Sequence, residues 1–79
     1  MPEVRVGPHL IEIETSIWGS EKIRYDGRLV ASGSSIFGRT YVFQEKEVGE
    51  WINYEVDFWS GLISSHVTVR RNGIAIFAS

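Results

Sequence analysis

Within 79 residues the chain spells out the same order of elements twice, and that duplication narrows what it can fold into more than any other feature. Ile11-Glu12-Ile13-Glu14, the kink Trp18-Gly19, Lys22-Ile23-Arg24-Tyr25 and the turn Asp26-Gly27 are answered by Tyr54-Glu55-Val56-Asp57, Trp59-Ser60-Gly61, Val67-Thr68-Val69-Arg70 and Asn72-Gly73. Strand, kink, strand, tight turn and strand, written twice, predict a pseudo-symmetric all-β domain built from two related halves. A chain this short has room for one domain, residues 1–79, with repeat-like halves at about 9–33 and 51–79.

The alternation supports the strands individually. Ile11 and Ile13 fall on one face of a strand from His9 to Glu14, with Glu12 and Glu14 on the other, the period of two that marks a half-buried strand. Val4 and Val6 form a lead-in strand ended by Gly7-Pro8, and since Pro8 lacks an N–H to donate, an edge position suits it. Glu50 to Trp59 gives the clearest one-sided pattern, Ile52, Tyr54, Val56 and Phe58 alternating with Asn53, Glu55 and Asp57.

Two hairpins follow from turn chemistry. Asp26-Gly27 tolerates positive φ at both central positions of a type I′ turn, which pairs Tyr25 with Arg28, Arg24 with Leu29 and Ile23 with Val30 and puts Ile23 and Val30 on the core face. Asn72-Gly73 likewise pairs Arg71 with Ile74 and Val69 with Ile76, gathering Val67, Val69, Ile74 and Ile76 on one face, with His66, Thr68 and Arg70 on the other. Ala31 to Ser35, small and polar, reads as a loop joining the halves, with Ile36-Phe37-Gly38. No stretch has ten residues of helical period with caps, so the expected fold is a small antiparallel sandwich or partly open barrel of seven or eight strands.

The string His9-Leu10-Ile11-Glu12-Ile13-Glu14, followed by Gly19, Ser20, Glu21, Lys22 and Tyr25-Asp26-Gly27-Arg28, resembles the repeat unit of the Fas apoptotic inhibitory molecule family and of small bacterial proteins with similar repeats. Residues 9 to 30 carry the resemblance. Residues 51 to 78 match it loosely, with Asn72-Gly73 in place of Asp-Gly and three extra residues between the acidic pair and that turn. The resemblance implies a compact antiparallel β-sandwich with no catalytic centre and supplies no active-site residue.

Composition excludes several functions. Eight basic against ten acidic side chains give a formal charge of −2, without the excess that binding many phosphates requires, so nucleic acid is disfavoured as the principal partner. There is no Cys, hence no disulfide, thiolate zinc site or thiol nucleophile. The apolar runs are too short for a membrane span or a signal-peptide core, and the cytoplasm is the default location.

No residue set announces catalysis. Glu12, Glu14, Glu55 and Asp57 are the material of a hard-cation site, yet acids at i and i+2 on a strand usually form a solvated face balanced by cross-strand bases, here Lys22, Arg24 or Arg70. His9 and His66 lack a second ligand at a fixed short spacing, no serine sits in a Gly-x-Ser-x-Gly context, and the glycines form no phosphate-binding string. Neither enzyme, metal nor cofactor is expected. An enzyme would require His9 or His66 beside the acidic cluster in a cleft.

The candidate binding residues are aromatic. Trp18, Phe37 and Trp59 sit beside turn residues instead of within strands, either as a rim facing a partner or as plugs for the open ends of a small barrel. The expected function is a non-catalytic binding or protein-interaction module. The alternative is a small carrier holding an apolar ligand against Trp18, Phe37, Trp51 and Trp59. A protein partner, or a homodimer paired through the strand at Phe77-Ala78, fits the first reading, and a small apolar ligand the second.

Overall fold

The structure, a computed structural model, describes residues 3–16, 19–34, 38–60 and 65–79. Among them are eight strands and no helix: β1 (Glu3–Val6), β2 (His9–Thr15), β3 (Ser20–Tyr25), β4 (Arg28–Ser34), β5 (Gly38–Glu47), β6 (Glu50–Ser60), β7 (Ser65–Arg71) and β8 (Ile74–Ala78). Every pairing is antiparallel between consecutive strands, giving two four-stranded sheets in the orders β1-β2-β3-β4 and β5-β6-β7-β8. The all-β antiparallel class is the one the alternation predicts. The chain divides into two compact units, Met1–Ile36 and Phe37–Ser79, with one sheet in each.

The two units share a register. In the first, Ile11 lies opposite Tyr25, Glu12 opposite Arg24 and Ile13 opposite Ile23. In the second, Tyr54 lies opposite Arg71, Glu55 opposite Arg70 and Val56 opposite Val69. The central apolar pairs, Ile13 with Ile23 and Val56 with Val69, are wholly shielded from solvent, as cross-strand pairs of β-branched residues on a core face should be. Val4, Ile11 and Tyr25 extend the buried face of the first sheet, and Tyr41, Phe43, Ile52, Tyr54 and Phe58 that of the second. Phe43 stacks on Tyr54, its partner across the ladder, with ring centroids 5.2 Å apart, and Tyr41 meets Phe58 edge-on at 5.7 Å.

A pair of hydrogen bonds at each Asx-Gly turn locks this register. The Asp26 N–H donates to the Leu10 carbonyl at 2.8 Å, and the Leu10 N–H donates to Asp26 Oδ1 at 2.9 Å. The Asn72 N–H donates to the Asn53 carbonyl at 2.8 Å, and the Asn53 N–H donates to Asn72 Oδ1 at 3.0 Å. The short side chain thus acts as a surrogate backbone carbonyl and carries the ladder one step beyond the strand, a role only Asp or Asn fills at this length. Asp26 and Asn72 themselves have positive φ, 51° and 50°, ahead of Gly27 and Gly73 at 82° and 81°, which is the type I′ combination.

Two expectations are corrected here. The pairing beyond each turn slips by one residue: Ile23 lies opposite Ala31, not Val30, and Val69 opposite Phe77, not Ile76. Val30 and Ile76 are the extra residues of β-bulges at the same distance past each turn. Val30 is consequently only half-buried, and Ile74 and Ile76 are exposed instead of joining Val69 in the core. In addition, Ala31 to Ser34 belong to β4 and not to a loop, because β3 begins early enough to pair Ser20 with Ser34 and Glu21 with Gly33. The ladder overrides the weak strand preference of small residues.

The β5–β6 hairpin departs from the Asx-Gly pattern of the β3–β4 and β7–β8 hairpins. Val48 takes φ 50° ahead of Gly49 at 81°, so a β-branched residue occupies a left-handed position suited to Asn, Asp or Gly, and its side chain is fully exposed. Nothing packs there to offset the strain, which for an L residue is about 1–2 kcal/mol. Val48→Asn should therefore raise the unfolding free energy by roughly 1 kcal/mol with no change in denaturant slope, measured by urea unfolding; a loss of stability would contradict the turn assignment.

The turn locks also differ in one respect that pH reveals. Hydrogen bonding from His9, then from the Leu10 N–H, holds the Asp26 carboxyl below its ordinary range, whereas Asn72 does not titrate. A carboxyl whose folded-state pKa is depressed contributes stability above its unfolded value, near pH 4, and loses it as the pH falls through the folded value. Asp26→Asn, which keeps the Leu10 hydrogen bond, should flatten the loss of thermal stability below about pH 4. An unchanged acid limb would show that Asp26 is not linked to folding.

Candidate functional site

The aromatic residues singled out in the sequence are distributed as follows. Trp51 and Trp59 lie on β6 among the outward-facing positions, 66% and 56% exposed, on the face opposite Ile52, Tyr54, Val56 and Phe58; Trp59, expected beside a turn, is within the strand because the β6–β7 ladder runs on to Ser60. Trp18 and Phe37 lie outside the described residues. The two described rings share a face but not a place, because eight positions along an extended strand span roughly 27 Å.

Each ring is held by a neighbour across the ladder. Trp59 lies opposite His66 and stacks on its imidazole, with centroids 5.4 Å apart and planes 24° apart. Trp51 lies opposite Lys46, whose ammonium stands 6.0 Å from the indole centroid in cation–π geometry. Between the rings the face is polar except for the exposed Val42 opposite Glu55. Gln44 donates from Nε2 to Asn53 Oδ1 at 2.6 Å, Thr40 donates from Oγ1 to Asp57 Oδ1 at 2.5 Å, and Arg70 bonds both Glu55 and Asp57, reaching Glu55 Oε2 at 3.3 Å.

The acidic strands are balanced by arginine, once in each unit. Arg24 Nη1 lies 2.6 Å from Glu14 Oε1, which holds that carboxyl below and the guanidinium above their ordinary ranges. Arg70 fills the corresponding position between Glu55 and Asp57. Glu12 and Glu14 belong to one sheet and Glu55 and Asp57 to the other, and among the described residues no group of three or more His, Asp or Glu side chains is disposed to hold a metal ion. With Arg70 and Arg71 ion-paired, the arginines of the last strand pair form no open basic patch.

The histidines serve turns and ends. His9 Nδ1 lies 2.7 Å from Asp26 Oδ2, and its ring stacks on Tyr25 at 5.1 Å. His66 Nδ1 lies 2.9 Å from the Ser79 carbonyl, beside the Ser79 N–H donating to the Val67 carbonyl at 3.0 Å. Neither bonds the Glu12–Glu14 or Glu55–Asp57 pairs in these contacts. At the β2–β3 end of the first unit, Glu14, Thr15, Ser16, Ser20 and Lys22 line a recess of about 170 Å³ whose lining is polar.

A third cluster escaped the sequence reading. On the buried side of the second sheet, Glu47, only 6% exposed, accepts hydrogen bonds from the Tyr54 hydroxyl and from Arg71 Nη2, the latter at 2.8 Å. Burial, reinforced by the Glu47 carboxylate, pushes the Tyr54 phenol up to about 12. Hydrogen bonding to Glu47 and Tyr54 raises the Arg71 guanidinium as well. The signal was present as parity: Glu47 shares its face with Tyr41 and Phe43, and Arg71 with Val69, so charge stood at positions the alternation assigns to the core. At the same ladder positions the first unit carries Ile11 and Tyr25 in place of Tyr54 and Arg71. The carboxylate of Glu47 is answered by both partners, while Arg71 Nε is buried without one, so removing Tyr54 or Arg71 takes away part of what offsets the burial of Glu47.

Tyr54 should therefore ionise late in an alkaline spectrophotometric titration, near pH 12. A phenol with a raised folded-state pKa contributes stability below its unfolded value near 10, lost as the pH rises through the folded value. Tyr54→Phe should remove one tyrosine from the late step and lower stability by about 1–3 kcal/mol, the cost of leaving Glu47 and Arg71 without their shared partner. A late amplitude that does not fall by one tyrosine in the variant would refute the assignment. No protein-family model, curated protein or solved structure matches this chain.

Proposed function

We propose that the chain is a non-catalytic binding module whose recognition surface is the outer face of the second sheet. The observation that carries this reading is the pair Trp51 and Trp59, two large rings more than half exposed on one face of one strand, each ordered by a neighbour. An exposed indole held in one geometry loses little conformational freedom on binding, and Trp is enriched where proteins concentrate binding energy. The described charges are largely paired within the units: Arg24 with Glu14, Arg70 with Glu55 and Asp57, and Glu47 with Arg71 and the Tyr54 hydroxyl. The shared register, the matching turn locks and the matching bulges further support two copies of one repeat, as the resemblance to the Fas apoptotic inhibitory molecule repeat implies.

A carrier that gathers an apolar ligand among these rings is the weaker reading, since Trp51 and Trp59 stand near opposite ends of β6.

If the rings serve binding and not the fold, a Trp51→Ala, Trp59→Ala double variant should keep its unfolding free energy within about 1 kcal/mol of the native chain, the range of surface substitutions. The indoles should also be open to quenching by acrylamide in the folded state. A loss above about 3 kcal/mol, of the size seen for buried Trp, would make the rings structural and remove the reading's support.

A further inference from the structure

The outer face of the second sheet is arranged in the opposite sense to a protein–protein interface. Such interfaces concentrate apolar anchors at the centre, surround them with a polar rim and exclude charge from the core. Here the rings stand at the two ends of β6, while Glu55, Asp57 and Arg70 occupy the middle with the Gln44–Asn53 pair. Val42, opposite Glu55, is the apolar exception.

The charges on this face cancel, Lys46 and Arg70 against Glu55 and Asp57, so it selects neither an anion nor a cation. A polynucleotide needs a surplus of cations along its path, and the arginine that lies on this one is already matched to carboxylates. A ligand that engages both rings must reach roughly 27 Å, lie flat across a sheet, present an apolar face at intervals and offer hydroxyls between them.

From this arrangement we infer that the outer face of β5, β6 and β7 binds an extended, neutral polysaccharide. Sugar rings stack by their C–H faces on the indole faces of Trp51 and Trp59 turned away from Lys46 and His66, and hydroxyls along the chain exchange hydrogen bonds with the side-chain pairs Gln44–Asn53 and Thr40–Asp57. Amide and carboxylate oxygens accept from sugar hydroxyls, and the Gln44 and Asn53 amide N–H groups donate to them. The inference rests on the binding-module reading and adds the chemical class of the ligand.

Native affinity electrophoresis of the whole chain, in gels containing hydroxyethylcellulose, laminarin, xylan or galactomannan, tests it. At least one polymer should retard the native chain. Trp51→Ala and Trp59→Ala should each weaken that retardation by about tenfold or more, equivalent to ~1.4 kcal/mol, while remaining folded by circular dichroism. Val48→Asn, at the turn and off the face, should leave it unchanged. A hexasaccharide of the retarding polymer should compete, and the disaccharide should not, because it cannot span both rings.

Retardation by none of the four polymers, equal retardation of the tryptophan variants, or equal competition by the disaccharide would each overturn the inference. A native dimer by light scattering that falls to monomer in either variant would assign the face to a second copy and overturn it too. The two readings fail separately. Quenchable, dispensable rings with no polysaccharide retardation would remove the ligand class alone, whereas buried or stability-critical rings would remove the binding module with it.

Discussion

Everything in each sheet hangs on where a turn side chain meets the next strand over. Asp26 and Asn72 each close a two-bond ring with the backbone of a residue on the other side of their hairpin's first strand, Leu10 and Asn53. A tight turn alone fixes the register of its own two strands. The extra ring fixes the third, and since a one-residue slip would send every side chain to the wrong face, it determines that Ile13 meets Ile23 and Val56 meets Val69. In a chain with a modest core, three strands secured by one short side chain make an economical use of sequence.

With register held in common, the units diverge in what they bury. The first fills its ladder with Val4, Ile11 and Tyr25. The second places Tyr54 and Arg71 at the equivalent positions and lengthens β5 to bring Glu47 opposite Glu50. The result is an apolar row in one sheet and a hydrogen-bonded polar row in the other, on the same framework. A buried polar row tolerates fewer alternatives than an apolar one, since each member requires a partner at a fixed distance and direction. The outer faces, by contrast, keep one plan, with an arginine between two acids in both sheets.

Strand identity and most pairing were legible because they depend on local rules. Period-two alternation gave the faces of β2 and β6, and Asp26-Gly27 and Asn72-Gly73 gave the turns with their positive φ. The bulges at Val30 and Ile76 were not legible, because a bulge leaves a strand's composition unchanged and displaces only its pairing. The Glu47–Tyr54–Arg71 cluster was half legible: parity marked Arg71 as misplaced, but its partner sits 24 residues away, and only the folded ladder brings them together. Of the binding candidates, the outward setting of Trp51 and Trp59 agrees with the alternation of β6, while the length of that strand separates them.

The bulges also bear on the edges of the two sheets. β4 and β8 are edge strands, and β8 carries no charged side chain from Ile74 to Ala78, the composition that ordinarily invites another chain to add on. A continuous incoming strand needs an uninterrupted row of donors and acceptors at even spacing. Past each turn the pairing of β4 and of β8 is broken at Val30 and at Ile76, and a bulge of this kind bends its strand and strengthens the local twist. The residue that spoils the simple pairing of each hairpin thus also interrupts the even row of donors and acceptors along an edge strand.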